Sequence, residues 1–183
     1  MPFLRHIVRT VDGLNEWIGY LVSWLTSILV LVVCYDVVTR YAFNKSSVAV
    51  QELEWHLFAA IFLLGAAYCL KHDRHVRVDL IYASLSAKSR AWINLLGSLF
   101  FLLPFSVLVI WCSRLFFIDS FEIRETSPNP GGLPARYVLK AVVPVSFVLL
   151  LLQGLALAAR SLMTILNGET ADVAAREGTS VDP

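Results

Sequence analysis

Four long stretches of the chain contain no charged residue, and the charged residues lie between and beyond them. These stretches are 17–35, 55–70, 91–113 and 141–159. A helix needs about 20 mostly apolar residues to cross the roughly 30 Å hydrocarbon core of a bilayer. The second stretch reaches that length if its helix begins near Val48; otherwise it would be a re-entrant or core helix. The pattern predicts four spans, at about 16–38, 50–71, 89–117 and 139–162.

Two segments outside the spans have the apolar spacing of amphipathic helices. In residues 3–15, apolar side chains recur at intervals of three and four, which predicts a short helix on the cytoplasmic membrane surface. The loop 71–90 contains a second such stripe, with Ser86 as the predicted cap of the third span. The residues of this stripe are Val78, Ile81, Tyr82 and Leu85.

These elements define one all-α membrane domain. The predicted fold has four transmembrane helices, a short N-terminal amphipathic interfacial helix and an amphipathic cytoplasmic loop helix. The domain extends over residues 1–166. Residues 167–183 carry four acids and one Arg, a composition that predicts a disordered polar tail.

Composition narrows the class of protein. The chain is 57% hydrophobic and 16% charged, whereas soluble domains are about 45–50% apolar and about 25% charged. This argues against a soluble enzyme and a disordered chain. The net charge of +1 gives no electrostatic reason to expect a nucleic-acid partner.

The distribution of Lys and Arg predicts the orientation. Nine of these 15 residues lie on the side of the termini and the 71–90 loop, and six lie on the side of 39–51 and 119–137. Because short cytoplasmic loops carry an excess of Lys and Arg, both termini are expected in the cytoplasm.

Ionisable residues lie at the span ends rather than at the span centres. Asp36 and Arg40 are four residues apart and can pair, and Glu52 and His56 have the same spacing. Arg114 lies about a turn inside the outer end of span three, where it can snorkel or meet an acid. A proton-coupled carrier, such as a small multidrug carrier, generally needs a central charge. The pattern therefore argues against transport by this chain alone.

No residue pattern indicates a catalytic, substrate-binding, metal or cofactor site. A haem anchor needs axial His ligands within the spans, and His56 is the one candidate. A membrane anchor of a redox complex stays open as an alternative function, which haem absorbance would distinguish. The three cysteines are widely separated and are expected to be small buried apolar residues. They are Cys34, Cys69 and Cys112.

The order of several short motifs resembles one family. The motifs are ELEW at 52–55, HVRVDL at 75–80, SFEIRETS at 120–127, GGLPARYVLK at 131–140 and LLLLQGLALAAR at 149–160. Their succession over residues 5–166 resembles the small permease subunit (DctQ family) of tripartite ATP-independent periplasmic (TRAP) transporters. The most specific parts are HVRVDL and the succession E-x-S, GGLP, Lys140, Pro144 and LQG.

The resemblance implies a function beyond what composition gives. TRAP systems are secondary transporters that import organic acids and related solutes, generally with a sodium gradient. The implied partners are a large permease subunit, which carries the substrate and sodium sites, and a periplasmic solute-binding protein, beside membrane lipids and with no nucleic acid. The small subunit resembles a fixed scaffold in the bacterial inner membrane.

Six polar or aromatic residues are the candidates for partner contact or for structural roles. Each of them lies at a membrane surface. The alternative role of Asp79 is a cap for the helical turn at 80–85. The six are Glu54 and Trp55 at the start of span two, Arg77 and Asp79 in the inner loop, and Glu125 and Ser127 before the GGLP turn.

Overall fold

The computed structural model describes residues 2–72 and 85–167, and they form a helical bundle. Within these residues, four helices are long and apolar enough to cross a membrane, which confirms the predicted all-α fold with four spans. The third span is built from a helix, a π-helical turn and a second helix. The elements are α1 (Pro2–Ala42), α2 (Val48–Lys71), α3 (Ala87–Gly97), the π segment (Ser98–Leu102), α4 (Leu103–Glu122) and α5 (Tyr137–Asn167).

The first helix is longer than the sequence predicted. Residues 3–15 are helical, as expected, but they continue into the first span within one 41-residue helix instead of forming a separate helix. Neither a proline nor a competing cap interrupts the segment, and Thr10 bonds back to the His6 carbonyl oxygen at 3.0 Å. A helix broken there would leave backbone groups unpaired, so continuation is favoured.

The loop helix predicted around Val78–Leu85 and the tail predicted at 167–183 fall almost wholly outside the described residues. The predicted cap that follows the loop is confirmed. Ser86 Oγ accepts a hydrogen bond from the Ser89 amide at 3.2 Å, which satisfies one free donor at the start of α3.

The last helix, α5, is the centre of the bundle and contacts α1, α2, α3 and α4. In the most apolar part of α5, 39% of the residues are buried inside the bundle, against 6–11% in the other three spans. Small residues allow close approach. Gly19 packs on the Tyr68 ring, and a side chain at Gly154 would lie 2.8 Å from a Leu102 methyl group. Such close packing is one of the forces that associate helices in lipid.

A proline shapes the third span. Pro104 cannot donate to the carbonyl oxygen four residues earlier, and its ring crowds that oxygen. The preceding turn is π-helical, and the Leu103 amide bonds to the Ser98 carbonyl oxygen five residues back.

The expectation that the cysteines are buried is wrong. Cys34, Cys69 and Cys112 are all exposed on the chain, because each lies on a helix face turned away from the other helices.

Candidate functional site

The paired charged side chains of the bundle lie at its two ends. The loop end contains residues 43–47 and the 123–136 loop, and the terminal end contains the start of α1 and the end of α5. Four of the six candidate residues from the sequence, Glu54, Trp55, Glu125 and Ser127, lie at the loop end.

At the loop end, Glu52 in the first turns of α2 binds the 123–136 loop. Its Oε1 accepts hydrogen bonds from the Ser127 hydroxyl and from Asn129 Nδ2, the latter at 3.0 Å. Its Oε2 accepts from the Leu133 backbone amide at 2.8 Å. The residue is only 5% exposed, so this one carboxylate supplies acceptors that water would otherwise provide.

The loop is folded tightly around that carboxylate. The Ser127 amide bonds to the Leu133 carbonyl oxygen at 3.1 Å, and the Gly132 amide bonds to the Asn129 carbonyl oxygen at 3.0 Å. A side chain at Gly132 would overlap Ser127 and would lie 2.8 Å from Glu52 Oε2. Gly131 has a φ of 76°, which L side chains rarely adopt. Gly132 is therefore required for the close approach of the loop to Glu52, whereas Gly131 is required for its backbone conformation.

Glu125 connects the end of α4 to the start of α5. Its Oε2 accepts from the Ser120 hydroxyl at 2.6 Å and pairs with the Lys140 ammonium group. Its backbone oxygen accepts from the Arg136 amide at 2.9 Å. The hydrogen bond from Lys140, and then that from Ser120, hold the pKa of this carboxyl below its ordinary value.

Glu54 and Trp55 lie beside this loop without anchoring it through hydrogen bonds. Trp55 is 41% exposed, its ring lies 3.8 Å from the His56 ring, and the Arg136 guanidinium carbon lies 5.7 Å from its centroid. Glu54 is half-buried, and its shielded Oε1 finds no hydrogen-bond donor among residues 2–72 and 85–167.

One predicted pairing at this end is confirmed and another is wrong. Asp36 is buried and pairs with Arg40, as their spacing predicted. The Glu52 carboxylate does not pair with His56, whose Nδ1 instead lies 2.5 Å from the Glu52 backbone oxygen. The carboxylate instead accepts hydrogen bonds from three groups in the loop, on Ser127, Asn129 and Leu133. The sequence candidates Arg77 and Asp79 lie outside the described residues.

At the terminal end, a polar network joins α1 to α5. Asn15 Nδ2 donates to Gln153 Oε1 at 2.7 Å, and Gln153 Nε2 donates to Asp12 Oδ1 at 3.0 Å. Arg160 Nη1 lies 3.0 Å from Asp12 Oδ2 and completes an ion pair. Asn15 and Gln153 are fully buried, so the network fixes the register of the two helices.

A second contact at this end joins α1 to α2. Glu16 pairs with Lys71, and His72 Nε2 lies 3.2 Å from the same Glu16 oxygen. The His72 ring also packs 4.4 Å from the Tyr68 ring. The terminal end therefore has two separate contacts, one to each neighbouring helix of α1.

Sequence reasoning missed Glu52 as a loop anchor and Gln153 as a network member. A signal for Gln153 exists, because Gln153 and Asn94 are the two amide side chains within the four uncharged stretches. For Glu52 the useful signal is an acid just inside a span, combined with donor-rich Ser127 and Asn129 and the glycine pair far along the chain.

Chemically, these arrangements hold helices and a loop in place. In the part of the chain that the structure describes, no three His, Cys, Asp or Glu side chains are grouped as a metal site would require. The fold and its polar ends define a multi-pass helical membrane protein.

Comparison with known families identifies the kind of membrane protein. Residues 29–164 match the family model "Tripartite ATP-independent periplasmic transporters, DctQ component". The chain belongs to this family, which is a family of transporter components and not of enzymes, and a redox-complex anchor is accordingly not favoured. No curated protein and no solved structure is significantly similar to the chain.

Proposed function

We propose that this chain is the scaffold subunit that binds the large permease of a TRAP transporter. The complete complex imports an organic acid or a related solute with sodium, after a periplasmic binding protein delivers the solute. The family match carries this proposal. It is supported by the span centres, because 17–35, 55–70, 91–113 and 141–159 contain no charged residue that could bind a coupling ion.

The proposed location is the bacterial inner membrane, with both termini in the cytoplasm. The excess of Lys and Arg on the side of the termini and the 71–90 loop supports this orientation. The loop end then faces the periplasm. Residues 1–166 are the proposed membrane domain, and 167–183 are a tail beyond it.

Glu54 and Trp55 are the proposed contact with the large permease. The Glu54 Oε1 atom is shielded and lacks a donor within the described chain, and a shielded acceptor without a partner is costly. A donor from a neighbouring subunit would remove that cost. The adjacent Trp55 offers an exposed aromatic surface, of the kind enriched at interfaces. Arg77 and Asp79 are proposed to hold the inner loop against the bundle or the large permease.

The 123–136 loop is the proposed contact with the binding protein or with the outer rim of the large permease. Glu52 and Glu125 hold the loop from two sides, so its surface is ordered before any partner binds. Ser127 belongs to the same surface through its bond to Glu52.

Co-expression with a large TRAP permease of the same organism tests the proposal. An affinity tag on this chain should co-purify the large permease, and Glu54→Ala or Asp79→Ala should reduce the recovered amount. Glu125→Ala should leave the complex assembled but reduce sodium-driven uptake of labelled organic acids in proteoliposomes with the binding protein. Glu122→Ala is the matched control, since Glu122 is an exposed acid at the same end.

The chain alone in liposomes should take up no more labelled organic acid than empty vesicles, with or without a sodium gradient. Uptake by the isolated chain would overturn the scaffold function. Normal assembly and uptake in all three variants would overturn the site assignments while leaving the family membership intact.

A further inference from the structure

An apolar groove of about 500 Å³ runs along the outside of the bundle between α4 and α5. Val107, Trp111 and Phe117 line it on α4, and Pro144, Val148 and Leu151 line it on α5. One cation, Arg114, lies in this wall, nearer to the loop end of α4 than to its start. A groove with an apolar wall and a single charge suits a ligand with an apolar body and a charged group.

Arg114 differs from the other cations close to the span ends. Four of those cations pair with carboxylates of the chain. The pairs are Arg40–Asp36, Lys71–Glu16, Lys140–Glu125 and Arg160–Asp12.

Arg114 is exposed and has no ion pair or hydrogen bond to any residue that the structure describes. Its guanidinium carbon lies 5.1 Å from the centroid of the Trp111 ring, and this contact holds it against the groove wall. An arginine at membrane depth is costly unless an anion accompanies it.

The shape of the groove selects the occupant. From Val107 to Phe117 it extends over about 15 Å of helix. An apolar lining along this length suits an extended hydrocarbon chain, and the one cation in the wall suits an anionic group at the end of that chain.

We propose that the groove binds one phospholipid from the leaflet at the loop end. One acyl chain lies along the groove, and the phosphodiester accepts hydrogen bonds from the Arg114 guanidinium group. The planar guanidinium can bind two phosphate oxygens at once. The site therefore recognises the phosphate group, and it does not distinguish the headgroups attached to that phosphate. This site is independent of the proposed transport function.

Native mass spectrometry of the full chain in mild detergent tests the site. The probes are phosphatidylglycerol, phosphatidylethanolamine and a diacylglycerol with the same acyl chains, titrated one at a time. Arg114→Gln removes the charge, with Arg124→Gln as the control at an exposed cation of the same end. Val148→Trp fills the groove, with Val145→Trp as the control at an exposed position that does not line it. Arg114→Lys keeps the charge, and a melting curve confirms that every variant is folded.

Both phospholipids should bind the parent with similar affinity, and Arg114→Gln should weaken both about tenfold, as expected for losing a charge-assisted hydrogen bond. Arg114→Lys should retain part of the affinity. Diacylglycerol should bind the parent and Arg114→Gln with equal affinity. Val148→Trp should bind all three probes more weakly than the parent does. Both controls should behave like the parent.

Equal phospholipid binding by Arg114→Gln and the parent would overturn the site, and so would an equal loss in Arg124→Gln. Displacement of lipid by excess inorganic phosphate would assign Arg114 to a free anion instead. If phospholipid binding is unchanged but Arg114→Gln reduces co-purification of the large permease, the occupant is a carboxylate on a partner helix and the lipid proposal is wrong.

Discussion

The loop end and the terminal end of the bundle use carboxylates in different ways. At the loop end, Glu52 accepts hydrogen bonds from two side chains and one backbone amide of an irregular segment. At the terminal end, Asp12 and Glu16 pair with cations on other helices. The first arrangement orders a loop, and the second fixes the positions of helices that are already formed.

The difference follows from where backbone groups lack partners. Helices satisfy their own amides and carbonyls, whereas the 123–136 loop has donors that must be satisfied from outside. The Glu52 carboxylate supplies several of those acceptors, so its loss should affect the loop more than the loss of any other single contact. The terminal end distributes its contacts over two separate groups, and the loss of one should leave the other in place.

Glu52→Ala should have the largest effect of any change at either end. It removes three hydrogen bonds to a charged acceptor and leaves the Leu133 amide without its partner. Trypsin should then cut after Arg124 or Arg136 roughly tenfold faster than in the parent, measured by the loss of intact chain. Glu52→Gln keeps an acceptor oxygen, so its rate of tryptic cleavage should lie between those of the parent and Glu52→Ala. Unchanged cleavage in Glu52→Ala would show that the loop is held by other contacts.

Gly132→Ala should perturb the same loop by crowding it. The new methyl group would meet Ser127 and Glu52 Oε2, at a cost of about 1–3 kcal/mol in the free energy of unfolding. Gly13→Ala is the matched control, because nothing lies within 4 Å of the added carbon in α1, and it should stabilise by about 0.5–1 kcal/mol. Unfolding in mixed detergent and SDS micelles measures both, and effects of the same sign would contradict the assigned crowding.

Gln153→Leu should weaken the terminal end more mildly. It removes the bonds to Asn15 and Asp12 while preserving most of the side-chain volume. Buried polar contacts between membrane helices are worth about 1 kcal/mol, and the same unfolding measurement should show a loss of that size. The tryptic rate at the 123–136 loop should not change, and Gln51→Leu is the control at a less buried amide. A faster tryptic rate would mean that the two ends are coupled.

The smallest effect should be a pH dependence from Glu125. Its pKa is lower in the folded chain than in the unfolded chain, so its contribution is complete above the unfolded-state pKa. The contribution disappears as the pH falls through the folded-state pKa. The stability difference between the parent and Glu125→Gln should therefore shrink on acidification from neutral pH, measured by melting temperature. Glu122→Gln is the control at an exposed acid of the same end, and a constant difference for Glu125→Gln would contradict the pairing with Lys140.

Local features of the sequence determined the span number, the all-α class and several short-range contacts. The four uncharged stretches predict membrane-spanning helices because a span can be recognised from the length and the apolar composition of a segment. The Ser86 cap and the Asp36–Arg40 pair were predictable because their partners are three and four residues apart. Motif order also identified the family, which the match over 29–164 confirms.

The tertiary structure alone decided which partner each polar residue takes. Sequence spacing favoured His56 for Glu52, but the carboxylate binds residues 75, 77 and 81 positions away. Likewise Gln153 meets Asn15 across 138 positions. Such pairs depend on which helix faces meet around α5 and on how the 123–136 loop folds back. Local spacing carries no information about either, because a carboxylate near a bilayer surface pairs with the donors that the packing brings within reach, whatever their distance along the chain.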